Sequence, residues 1–146
     1  MRKDNSQLYF RSDLFVVEPD EVRETNPGCY GKSLAEWVKD RFAALGYAPE
    51  PIIPEDWGWI VMLRRRPFYL WIGCRNVWDE ELGPSEGGES PQTWSCIVGA
   101  DVPFWTKFFW KRLVTAASTE SEVELVAEQL KTVLENEHGI VLVPEP

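Results

Sequence analysis

Two periodicities divide this chain. Leu34, Trp37, Val38, Phe42 and Leu45 recur at helical spacing, and so do Val123, Val126, Ala127, Leu130, Val133 and Leu134. These stripes predict helices over 33–45 and 120–136. Ser33 and Glu36 have capping-box spacing at the first, as do Thr119/Glu122 and Ser121/Glu124 at the second. Gly46 is placed to stop the first helix in the left-handed conformation, and Gly139 the second.

Between the helical stretches lie short apolar runs bounded by turn residues, which predict strands. Residues 57–63 and 68–74 flank a basic tip, Arg64-Arg65-Arg66-Pro67, and read as a hairpin. Residues 93–98 supply a third central strand, antiparallel to the second. In the first of these strands Trp57, Trp59, Val61 and Leu63 fall on one face by alternation, with Ile60 and Met62 on the other. In the second, Phe68, Leu70 and Ile72 oppose Tyr69 and Trp71. Leu14-Phe15-Val16-Val17 predicts a first strand and Ile140-Val141-Leu142-Val143 a small edge strand. Asp101-Val102-Pro103 predicts the start of a further helix carrying Phe104, Trp105, Phe108, Phe109 and Trp110. A Gly-, Pro-, Ser- and Glu-rich connection over 76–92 reads as a mobile loop beside any functional surface.

Strand, helix, three meandering strands and then helices define the α+β class. The expected architecture is an antiparallel β-sheet, three central strands plus edge strands, with helices packed mainly on one face as a two-layer sandwich. No internal repeat or linker interrupts it, so residues 1–146 are expected to form one domain.

Composition narrows the function classes. The net charge of −9 disfavours general nucleic-acid binding, which rewards a basic face, and favours a basic partner. No run approaches the length of a membrane span. The polar start, Met1-Arg2-Lys3-Asp4, leads into no long apolar stretch, so no secretory leader is expected. Cys29, Cys74 and Cys96 are odd in number and lack zinc-ligand spacing, which fits reduced thiols in the cytoplasm and no metal.

Catalytic devices are not apparent. His138 is the lone histidine and sits where it would cap a helix C-terminus. Gly87-Gly88 lies among glutamates, which would repel a phosphate. No cofactor motif occurs. Glu55 and Asp56 beside tryptophan could act as acid or base, but neighbouring residues of a strand point to opposite faces. Arg64-Arg65-Arg66 reads as a solvated hairpin tip, with a carboxylate contact as its second use. Eight tryptophans exceed what a core of this size absorbs, so some are expected at a surface or pocket. The candidate binding residues are therefore Glu55, Asp56, Trp57, Trp59, Trp71, Trp78 and Trp110.

The helix opened by Gly31-Lys32-Ser33-Leu34-Ala35, the Gly46-Tyr47 stop, the proline-rich approach and Glu55-Asp56-Trp57-Gly58-Trp59 together resemble families of uncharacterised small bacterial proteins. The resemblance spans Gly31 to Arg75. It implies a bacterial cytosolic domain and brings with it no catalytic residue. The expectation is a small acidic protein that binds a basic protein partner, as immunity and inhibitor proteins do. The alternative is a small-molecule binder or enzyme with a Trp-lined pocket near Asp56. Neither reading involves a membrane, and neither sets an oligomeric state.

Overall fold

The computed structural model describes residues 6–77, 92–101 and 116–146. Among the described residues six strands form one sheet: β1 (Gln7–Ser12), β2 (Ile53–Glu55), β3 (Gly58–Arg64), β4 (Tyr69–Val77), β5 (Gln92–Asp101) and β6 (Ile140–Val143). Their order is β2-β3-β4-β5-β1-β6, and every neighbouring pair is antiparallel. Helix α1 (Lys32–Ala44) joins β1 to β2, and α2 (Ala116–Glu135) precedes β6. The fold is α+β.

Both helices bury their stripes against the same sheet face. Leu34, Ala35, Val38 and Phe42 of α1 and Val126, Ala127, Leu130 and Leu134 of α2 share one apolar core with Val61, Leu70, Ile72, Trp94, Cys96 and Val98. Each fully buried side chain of this size contributes about 1.5–3 kcal/mol relative to exposure. Trp94 is wholly buried because its one polar atom is satisfied: Nε1 donates to the Ser12 carbonyl at 3.2 Å. Tyr47 Oη donates to Gln129 Oε1 at 2.7 Å and ties the end of α1 to α2. Alternation is kept on β4, where Leu70 and Ile72 face the helices while Tyr69 and Trp71 face away.

The end of α1 follows its sequence signal. Gly46 has φ 103°, its N–H donates to Ala43 O at 3.1 Å, and Tyr47 N–H donates to Phe42 O at 3.2 Å. This is the paired 5→2 and 6→1 pattern of a Schellman stop, with the Phe42 and Tyr47 rings 5.4 Å apart as its apolar contact.

Three expectations need correction. The first strand is β1, not 14–17; Leu14 and Val16 are exposed, and residues 13–15 form a bend after β1. An apolar quartet without a partner strand has no ladder to join, whereas Leu8 and Phe10 sit opposite Cys96 and Trp94. The capping box at Ser33 does not form. The helix begins one residue earlier with Gly31 as N-cap, and Ser33 Oγ accepts from Val16 N–H at 3.4 Å. Helix α2 already includes Ala116, so Thr119 and Ser121 lie within it rather than at its cap. Asp101 is the last residue of β5. The helix expected after Asp101 and most of the 76–92 connection, including Trp78 and Trp110, lie outside the described residues.

Candidate functional site

The Glu55–Trp59 segment is split between the two faces of the sheet. Glu55 ends β2, Asp56 and Trp57 form the two-residue turn, and Gly58 begins β3 opposite Glu55. Asn26 Nδ2 donates to the Asp56 carbonyl at 3.0 Å and holds the turn. Because Trp57 belongs to the turn, it escapes the alternation that would have put it beside Trp59. Trp59 enters the helix-covered core at 2% exposure. Trp57 lies on the opposite face.

On the covered face, Trp59 leads to a polar centre that sequence reading missed. Glu21, in a single 3-10 turn (Glu21–Arg23), is 1% exposed. Its Oε1 accepts from Gly31 N–H (2.7 Å), Lys32 N–H (3.1 Å) and Trp59 Nε1–H (3.2 Å). Its Oε2 accepts from Glu18 N–H at 2.9 Å. A buried carboxylate requires such partners, and here it also caps α1 by satisfying N–H groups that have no partner within the helix. Its charge lies at the positive end of the helix dipole. Asn76, also buried, binds the same loop to β4: Tyr30 N–H donates to its Oδ1 at 2.9 Å, and its Nδ2 donates to the Gly28 carbonyl at 3.0 Å. Gly31 is required because a Cβ there would stand 2.5 Å from the Cys74 carbonyl oxygen. All four donors to Glu21 belong to the chain itself, which makes this centre a structural clamp.

The cysteines belong to the same buried set. Cys74 and Cys96 face each other across β4 and β5 as free thiols, with Sγ atoms 3.9 Å apart. Burial first, then the contact with Cys96, pushes the Cys74 thiol well above its ordinary value. Burial also raises Cys29, against the pull of the nearby Arg75 guanidinium. Neither thiol has the depressed pKa of a reactive nucleophile.

The opposite face carries the aromatic surface. Trp71 of β4 stands opposite Gly99 of β5 and Met62 of β3, and Gly73 stands opposite Ile97 and Ile60. The two glycines make room for two indoles. A Cβ on Gly73 would lie 2.4 Å from Trp57 Cη2, and one on Gly99 would lie 2.3 Å from Trp71 Cζ2. The rings therefore rest directly on the sheet backbone, with centroids 6.4 Å apart and planes inclined by 44°. Trp71 Nε1 donates to Asp101 Oδ2 at 3.0 Å. Trp57 and Trp71 are partly exposed, and Glu55, Asp56 and Asp101 are exposed.

Beside this pair, Arg65 lies over the Tyr69 ring at 5.6 Å and bonds Glu50 at 2.6 Å. Arg64 reaches Glu122 of α2 at 3.1 Å. The basic hairpin tip thus includes two arginines held by carboxylates of the same chain, not freely solvated. Arg75 and Arg11 lie farther along this face, opposite Ser95 and Thr93.

Of the expected binding residues, the structure brings Trp57 and Trp71 together, with Glu55 and Asp56 beside Trp57. It assigns Trp59 to the core, so Trp57 and Trp59 do not line one pocket with Asp56. Gly73, Gly99 and Asp101 were missed. Their only sequence signal is two glycines at inward-outward matched positions of apolar strands, which marks a close approach. Among the described residues, no group of three or more potential metal ligands occurs, and no helix is long and apolar enough to cross a membrane. No protein-family model, curated protein or solved structure matches this chain. The function must therefore be argued from this α+β sheet and its aromatic face alone.

Proposed function

We propose that this protein is an acidic interaction module of a bacterial cytosol that binds a basic protein partner, in the manner of an immunity or inhibitor protein. The observation that carries the reading is the Trp57–Trp71 surface with carboxylates at its edge. Partly exposed aromatic groups on a rigid sheet lose little entropy on binding and supply the energy at an interface centre. The net charge of −9 speeds encounter with a basic surface and disfavours acidic competitors. Three buried thiols suit a reducing compartment. The Glu21 centre belongs to this function as a support, because it fixes the turn and the loop that position Trp57.

The test is capture of partners on the immobilised intact protein, with elution by rising salt. A basic protein held at low salt and released by salt, then rebound in purified form, is the expected result. Retention of acidic proteins alone, or a small molecule co-purifying at one per chain, would overturn the reading.

A further inference from the structure

We propose that the partly exposed rings of Trp57 and Trp71, with the Asp101 carboxylate beside them, receive an arginine side chain of the basic partner. This rests on the interaction reading above and names the group recognised. Each indole rests against a glycine of the sheet, on Gly73 and on Gly99, so one side of each ring is taken by the backbone while both tryptophans stay partly exposed. An indole face attracts cations through its quadrupole, and tryptophan does so most strongly of the aromatic side chains. Two such rings inclined by 44° at 6.4 Å form a shallow V that a flat cation can enter against one ring or the other. The hydrogen bond from Trp71 Nε1 to Asp101 Oδ2 holds an exposed carboxylate at the ring edge.

Cations already lie over aromatic rings within the chain: Arg41 over Trp37 at 5.2 Å, Arg64 over Phe68 at 5.4 Å, Arg65 over Tyr69 at 5.6 Å and Lys32 over Trp59 at 5.5 Å. Arg65 is the nearest precedent. It covers a ring two residues before Trp71 on the same strand and bonds Glu50, a combination of one ring and one carboxylate. Guanidinium stacks on aromatic planes and bonds carboxylates with a planar fork, whereas an ammonium does neither as well. Glu55 and Asp56, exposed and adjacent to Trp57 in the chain, add negative charge on that side. The occupant is therefore an arginine-bearing loop or segment of a protein.

The probe is a capped peptide of alternating glycine and arginine, compared with its lysine and citrulline counterparts. Binding to the full-length protein is followed through the indole N–H resonances. Saturable shifts at Trp57 and Trp71 are expected with arginine, weaker binding by about three-fold or more with lysine, and none with citrulline. Trp57→Ala and Gly99→Ala should each weaken arginine-peptide binding about five-fold or more, the second by displacing the Trp71 ring without removing it. Asp101→Asn should weaken it about three-fold, and Trp37→Phe should leave it unchanged. Equal binding of citrulline or lysine peptides, shifts confined to other residues, or full affinity in a folded Gly99→Ala variant would each overturn the proposal. A basic partner that binds Trp57→Ala and Gly99→Ala as well as wild type would overturn this site while leaving the broader function standing. Loss of all basic partners would remove both.

Discussion

Trp57 and Trp59 are two residues apart, yet one rests against the sheet face opposite the helices and the other lies within the core. Strand alternation would have kept them together. The turn at Asp56–Trp57 separates them, so each serves a different region. Trp59 is buried and gives its N–H to Glu21, in a region whose polar groups are satisfied within the chain. Trp57 is partly exposed and joins Trp71 over two glycines, in a region with exposed carboxylates at its edge. Internal satisfaction marks a region built for stability. Partial exposure on a rigid support is what the proposed contact requires.

The sharpest way to break this contrast is at Glu21. Glu21→Ala should leave four N–H groups without their acceptor and cost about 3–5 kcal/mol in urea unfolding, since each lost buried bond exposes a desolvation penalty. A cost below about 1 kcal/mol would mean that water replaces the carboxylate and that the centre is not a clamp. A second comparison uses the tryptophans directly. Trp59→Phe should cost about 2 kcal/mol, from lost packing and the loss of one of three donors to Glu21 Oε1, while Trp57→Phe should cost less than about 1 kcal/mol. Equal costs would show that the two faces are not energetically distinct.

Gly99→Ala should cost about 1 kcal/mol, because the backbone tolerates alanine there and the Trp71 ring must give way to the new methyl. The accompanying change should be a shift in tryptophan emission as Trp71 moves. An unmoved spectrum would place the ring elsewhere in solution. The last expected effect is on pH dependence. The Cys74 thiol is raised in the folded protein by burial, so its neutral form stabilises the fold fully below the ordinary thiol value of 9.0. Above that pH the unfolded chain loses the proton while the folded one keeps it. Stability should then fall, by at most about 1.4 kcal/mol per pH unit from this group. Cys74→Ala should flatten that alkaline slope, and an unchanged slope would assign it to other groups.

Much of the covered face was legible from the residues alone. The α1 and α2 stripes, the Gly46 stop, the β3–β4 hairpin, the place of β5 and the edge strand β6 follow from local periodicity and turn chemistry. Those signals work because burial on one side of a helix or strand repeats at a fixed interval. Less legible was β1, where Gln7 to Ser12 carries a weak alternation and the stronger apolar run just after it drew the assignment. The candidate site was half legible. Trp57 and Trp71 stand out as surplus aromatics, but their meeting depends on a turn and on strand register.

The sequence by itself determined the α+β class, the two helix stripes and the acidic charge, because these are properties of neighbouring residues and of totals. Only the tertiary structure decided that Glu21 caps a helix ten residues away, that Trp59 is its third donor at Oε1, and that Gly73 and Gly99 seat two indoles. Each of those contacts joins residues from different elements. No local pattern records them, since the interactions exist only once the sheet has set its register and the loop has been pinned to β4.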